Sequence, residues 1–265
     1  MHKVVKDILM STKARLDSKN SSGTSSSSDI SSLDVTSKNE KKPEKIRDIV
    51  RSAKSIKSEG FTPIIAEIKP RILKRPLSSQ EVVHFAELYQ RMGACAISVL
   101  TQPTYFMGSI ENARIAREAS SLPILRKDFI LDQCQLGEVK SDLVLLIAAF
   151  SKPLDQLVNA VQSMGMEPLV EVHTQEEMEL AISTDVKIMG INNRNLKTLE
   201  VDLQTFERLG PIAKEAGLFV VAESGVECRD DVLRMEKAGA DALLVGTSIM
   251  KDPHKLRELA GNLEI

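Results

Sequence analysis

From residue 63 onward the apolar residues of the chain follow two alternating patterns. Short continuous runs rich in Ile, Val and Leu recur at 64–68, 94–100, 123–127, 142–148, 167–172, 187–191, 218–223 and 241–245. Runs of this kind suit strands buried on both faces, as in a parallel sheet covered by helices. Between them the apolar residues return at three- and four-residue intervals, as in 79–92, where Val82, Val83, Phe85, Ala86 and Tyr89 form one helical face. Ser79 is expected to cap that helix and Gly93 to follow its end. The same spacing predicts helices over 109–119, 153–164, 174–183, 202–217, 227–239 and 253–262, with 131–140 the weakest. Eight strands alternating with helices predict a (β/α)8 TIM barrel. A doubly wound open sheet is the alternative, and the lack of a G-x-G-x-x-G after the first strand counts against it.

The N-terminal part reads differently. Val4, Val5, Ile8, Leu9 and Leu16 fall on one stripe of a short amphipathic helix, and Ser21–Ser28 is a serine tract too polar to pack. Residues 18–42 are therefore expected to be a disordered linker, and 1–43 a helical extension preceding a barrel domain at 44–265. Helical spacing resumes over 44–59, with Ile46, Ile49, Val50, Ala53 and Ile56 on one face and Gly60 as the stop.

Composition narrows the partners. A net charge of −2 leaves no footprint for nucleic acid or an anionic membrane, and no apolar run reaches transmembrane length. The first residues lack a signal-peptide core and a cytoplasmic protein is expected, with a Ser-rich organellar transit peptide the lesser alternative because acidic residues punctuate the segment. Cys95, Cys134 and Cys228 are odd in number and widely spaced, which fits a reducing compartment. The four histidines form no ligand cluster and no metal is expected; His173 follows a strand and is read as a polar loop residue, with an approach to the site as the alternative.

In such a barrel the reactive groups belong at the C-terminal strand ends. Glu67 and Lys69 share one face of the first strand, because side chains alternate. The third strand ends in Arg126-Lys127-Asp128-Phe129, the fifth in Glu171, the sixth in Asn192-Asn193-Arg194-Asn195 and the seventh in Glu223-Ser224-Gly225. The eighth ends in Gly246-Thr247-Ser248. The loops after strands seven and eight of a barrel often bind phosphate through backbone N–H groups, so Ser224-Gly225 and Gly246-Thr247 point to a small phosphorylated substrate.

With these residues in view the chain resembles the indole-3-glycerol phosphate synthase family of tryptophan biosynthesis. The resemblance rests on IIAEIK, ISVLTQPTYFMGS, PILRKDFI, GMEPLVEVHT, GINNRNLKTLEVDL, VAESGV and GADALLVGTSIM, spread over about 63–252 in family order. It implies ring closure of 1-(o-carboxyphenylamino)-1-deoxyribulose 5-phosphate with loss of CO2 and water, and no cofactor. It implies that Lys127 is the general acid, that Lys69 is the lysine of E-x-K, and that Glu67, Glu171 and Glu223 are site glutamates. Asn192 and Arg194 match the N-N-R segment, and Ser224, Gly225, Gly246 and Thr247 match phosphate-side positions. Phe106 and Phe129 match aromatic positions of the anthranilate pocket, with Leu145, Ile147 and Leu196 as its wall. Glu171 and Lys69 are both candidates for the acid and base of the dehydration, and the sequence does not divide the roles.

Two departures stand out. After E-x-K the family continues with a basic residue and Ser-Pro-Ser-Gly, whereas this chain reads Lys69-Pro70-Arg71-Ile72-Leu73-Lys74-Arg75-Pro76. Arg71, Lys74 or Arg75 is expected to take over the phosphate contact, against the alternative of a solvated charge run. The segment between Gln135 and Asp142 is also short, so the third helix should be trimmed. Two other functions stay open: a non-catalytic barrel that binds a phosphorylated metabolite, and a phosphoribosylanthranilate isomerase-like enzyme. The isomerase would want Cys and Asp where Glu67 and Asn192 stand. Oligomeric state is not legible, and a complex with other tryptophan-pathway enzymes is left open. If 18–42 is a linker, limited proteolysis should cut there first and leave a folded barrel. First cleavage within 64–250 would contradict it.

Overall fold

In a computed structural model, which describes residues 1–22 and 46–262, the strands close into a parallel barrel in sequence order. They are β1 (Ile64–Ile68), β2 (Ala96–Leu100), β3 (Ile124–Lys127), β4 (Leu143–Ile147), β5 (Glu167–Val172), β6 (Ile188–Asn192), β7 (Phe219–Glu223) and β8 (Ala242–Val245). Each lies within a residue or two of its predicted run, because a strand covered on both faces carries its apolar signal at every position. The outer layer is α3 (Ser79–Arg91), α4 (Ile110–Ala119), a 3-10 turn over Gln133–Glu138, α5 (Leu154–Ser163), α6 (Gln175–Ile182), α7 (Gln204–Glu215), α8 (Arg229–Lys237) and α10 (Lys255–Ala260). The 3-10 turn replaces the third barrel helix, as the shortened segment implied. A short α9 (Thr247–Lys251) directly follows β8.

The local chemistry corrects one expectation. Ser78, rather than Ser79, caps α3, accepting from the Glu81 N–H while Glu81 accepts from Ser78. This reciprocal box fixes where the helix begins.

The barrel has two apolar layers. Strand residues pointing outward, such as Ile64, Ile97, Val144 and Val170, pack against the helices. Those pointing inward, among them Ile65, Ala96, Leu125, Leu143, Leu169, Ile188, Val221 and Ala242, fill the barrel. The N-terminal end is plugged by α2 (Ile49–Ser58), whose Ile49 and Ala53 are buried against that interior set. Asp48 caps α2, so the helix starts later than the residue 44 that spacing alone indicated. Cys95 is fully buried there, and burial pushes its thiol up to about 12, so it serves as packing.

The other end is covered by α1 (Lys3–Ser22). Val5, Ile8, Thr12 and Leu16 are its buried face, and Val4, Val5 and Ile8 reach the cavity at the C-terminal ends of the strands. The helix is tied down by polar contacts: His2 N–H to the Leu196 carbonyl at 3.3 Å, Ser11 Oγ to Thr104 Oγ1 at 3.0 Å, and Lys19 to Glu138. Arg15 approaches Asp128 at 3.9 Å. The helix therefore continues through 18–22, which composition had assigned to the linker, while 23–42 lies outside the described residues.

Candidate active site

Alternation along each strand decides which groups meet. Glu67, Lys127, Glu171, Asn192 and Glu223 all occupy inward positions at or near the C-terminal end of a strand, with Asn192 level with Glu223 across β6 and β7. Above them opens a cavity of about 820 Å³. Its lining includes Glu67, Lys69, Lys127, Glu171, Asn192 and Glu223 together with Phe106, Phe129, Leu145, Ile147, Arg194 and Leu196. Arg71, Lys74, Ser224, Gly225, Gly246 and Thr247 lie around its rim.

Lys127 is the centre of this arrangement. Its ammonium is paired with Glu223 Oε2 and stands 3.5 Å from Glu171 Oε2. Burial works against its charge, but Glu223, Glu171 and Glu67 outweigh it, and the lysine is held above its ordinary range. The two glutamates respond in opposite directions. Burial would raise Glu171, yet Lys127, His173 and the Asn192 amide hold it well below the usual carboxylate range. For Glu223 burial dominates; Lys127 opposes it, the neighbouring Glu171 adds to it, and Glu223 rises to about 7. Two carboxylates sharing one cation cannot both ionise freely, so the weakly supported one keeps the proton.

Two glycines make room for these carboxylates. A Cβ on Gly190 would overlap the Glu223 carboxylate, and one on Gly246 would overlap that of Glu67. Gly246 thus has a packing duty. Gly190 was not singled out from the sequence, although a glycine inside an apolar strand is the usual sign of close approach.

Lys69 lies 3.3 Å from Glu67 and 5.8 Å from the Phe106 ring centre. Phe106 packs edge-on against Tyr105, and Phe129 stacks on Phe150 with ring centres 6.1 Å apart. Asn192 Oδ1 accepts from the Arg194 N–H at 3.0 Å, which turns its amide nitrogen to Glu171. The Arg194 guanidinium is tied to the Leu199 carbonyl within its own loop. After β7 the backbone takes left-handed angles at Ser224 (φ 64°) and Gly225 (φ 87°).

The altered loop after β1 is a 3-10 turn over Pro70–Leu73, and its three cations have separate fates. The Arg71 guanidinium sits over the Tyr105 ring, 3.6 Å from its centre, and donates to the Tyr105 carbonyl at 2.9 Å. Lys74, in a left-handed conformation, lines the cavity. Arg75 does not: it forks onto both oxygens of Glu81, the carboxylate of the α3 capping box, and is absent from the cavity lining. Of the three cations expected on the phosphate side, Arg75 is therefore the one placed outside the cavity. Lys251 and Lys255, missed in the sequence because they lie beyond the strand ends, line the same rim.

A closed (β/α)8 barrel with a lysine and paired carboxylates gathered at its C-terminal mouth defines a TIM-barrel protein whose mouth is equipped for acid–base chemistry. The family model for indole-3-glycerol phosphate synthase matches residues 12–260, and the chain belongs to that family. Relatives named indole-3-glycerol phosphate synthase include one from Haloarcula marismortui, 44% identical over 72% of this chain and 72% of its own length. Another, from Carboxydothermus hydrogenoformans, is 40% identical over 76% of this chain and 80% of its own length. Among solved structures, N-acetylmannosamine-6-phosphate 2-epimerase from Clostridium perfringens aligns with a TM-score of 0.61 at 16% identity, over 83% of this chain and 99% of that one. At that identity the likeness concerns the fold alone.

The loop geometry separates two lysine and arginine variants. Lys74→Ala should raise KM for the phosphorylated substrate about two- to fivefold, as for a solvent-exposed ion pair, and added salt should shrink the difference. Arg75→Ala should leave KM unchanged. Equal effects from both variants would contradict the placement of Arg75 on Glu81.

Proposed function

We propose that this cavity closes the indole ring of 1-(o-carboxyphenylamino)-1-deoxyribulose 5-phosphate, releasing CO2 and water to give indole-3-glycerol phosphate. The observation that carries the reading is the buried Lys127 ammonium, held between Glu171 and Glu223 beneath an aromatic-lined cavity.

The reaction asks for such a group. When a ring carbon attacks the ketone, negative charge grows on the ketone oxygen, and a cation that also donates a proton stabilises the transition state by both effects. Lys127 is that donor, kept charged by its carboxylates. Loss of CO2 from the former anthranilate carbon carries the ring back towards aromaticity. Dehydration then needs a donor at the leaving hydroxyl and an acceptor for the ring proton. Glu171, the more strongly ionised of the pair, is the acceptor, and Lys69 beside Phe106 is the donor. Glu67 supports Lys69, while Asn192 orients Glu171. The aromatic half of the substrate lies against Phe106, Phe129, Leu145, Ile147 and Leu196, with Arg194 at the edge of the cavity.

The phosphate end fits the loops carrying Ser224, Gly225, Gly246 and Thr247, where Lys74, Lys251 and Lys255 gather positive charge and Arg71 braces the wall. No helix among the described residues is long and apolar enough to cross a membrane. A cytoplasmic setting belongs to this proposal, on the strength of the unpaired cysteines.

A direct assay tests the reading. The chain has no tryptophan, so indole fluorescence of the product rises over a low background. Turnover is expected without added metal or nucleotide; loss of activity on chelation, restored by a divalent ion, would contradict it. The pH profile adds a signed test. Glu223 is neutral below about 7 and anionic above, so kcat/KM should rise through that region as the carboxylate pair becomes fully charged. Glu223→Gln should remove that limb.

A further inference from the structure

The strand that carries Glu171 continues into a residue whose ring stands behind it. His173, immediately after β5, has a side chain only 8% exposed. Its Nε2 lies 3.2 Å from Glu171 Oε1, and its Nδ1 lies 3.1 Å from Glu177 Oε2. Glu177 belongs to the first turn of α6, where its N–H bonds to the capping Thr174, and its carboxylate also accepts the His173 backbone N–H at 2.7 Å. The other oxygen of Glu171 faces Lys127. Charges therefore alternate in a row, Lys127, Glu171, His173, Glu177, from the cavity floor to the half-buried start of α6.

Both ring nitrogens face carboxylates. A neutral imidazole would turn a lone pair towards one of them, whereas an imidazolium offers an N–H to each. Burial disfavours the charge, but Glu171 from β5 and Glu177 from α6 together outweigh it and raise His173 to about 9. The contact with Glu171 is one of charge more than of a linear hydrogen bond, since no acceptor is aligned with Nε2.

We propose that His173 is a positioning residue: as an imidazolium clamped between Glu171 and Glu177, it keeps Glu171 ionised and aimed into the cavity, and so leaves the proton of the carboxylate pair on Glu223. The inference rests on the proposed reactive role of Glu171. It accounts for an asymmetry that Lys127 alone does not create, because that lysine touches both glutamates. Glu171 has His173 and the Asn192 amide as further support; Glu223 has one carboxylate oxygen buried without a partner.

The test compares Glu171→Gln, His173→Gln and Glu177→Gln in the ring-closure assay across pH. Glu171→Gln should lose kcat by about 10²-fold or more. His173→Gln keeps a donor but not the charge. Its kcat should fall about tenfold as Glu171 loses the partner that aims it into the cavity, with KM within about twofold. The acid limb of the rate should move up by about one pH unit, because removing a cation raises the proton affinity of the pair. A basic limb near 9, from loss of the His173 proton, should be present in the wild type and absent from the variant. Glu177→Gln retains the backbone contact and should bring that basic limb to lower pH, which serves even where His173→Gln does not fold. Wild-type kcat and limbs in His173→Gln, or an unmoved basic limb in Glu177→Gln, overturns the positioning role while an inactive Glu171→Gln leaves the reaction assignment standing. Full activity in Glu171→Gln overturns both.

Discussion

A lysine ammonium placed at the floor of a barrel mouth, largely out of water, is stable only if carboxylates meet it there. Lys127 has Glu171 and Glu223 within contact and Glu67 close enough to add to its charge. Much of the surrounding structure follows from that requirement. Three strands must carry glutamate at or next to their C-terminal ends, and glycine must stand at Gly190 in β6 and Gly246 just beyond β8, because any side chain there would occupy the carboxylate space. An interior otherwise filled by Ile, Leu, Val and Ala then holds the charged layer at a fixed height.

The neighbouring residue on β3 faces the other way and does different work. Arg126 is fully buried beneath the 3-10 turn, where it donates to the Gln135 carbonyl and pairs with Glu138 at 2.6 Å. Lys19 of α1 reaches the same Glu138, and Arg15 approaches Asp128, whose other contacts include a 2.7 Å bond from Thr101. The helix that covers the cavity is thus fastened to the strand that carries Lys127, on the residues flanking it. Closing the mouth and placing the ammonium share one set of charges, and a covered site strengthens every electrostatic contact inside it.

The strands were legible because each is apolar throughout, and strand-end chemistry was legible because alternation leaves only one face for it. All expected cavity residues except Arg75 come together. Arg75 was misplaced because a local partner takes it: Glu81, fixed at the start of α3 by Ser78, holds the guanidinium away from the rim. The Ser-x-x-Glu spacing of that capping box was present in the sequence and would have signalled it. His173 read as a loop residue because the second carboxylate that holds it comes from the first turn of the following helix. The start of α1 followed its apolar stripe, but its end did not, since Lys19 is held by Glu138 across the fold and composition carries no trace of that pair.

The central claim is that Lys127, kept charged by its glutamates, donates the proton that drives ring closure, and Lys127→Met tests it most directly. Methionine preserves most of the side-chain length and removes both charge and proton. Loss of a positioned general acid lowers kcat by about 10²–10⁴-fold, and substrate affinity should stay within about tenfold because the proposed phosphate and aromatic contacts lie elsewhere. A Lys127→Met enzyme with near wild-type kcat would contradict the claim.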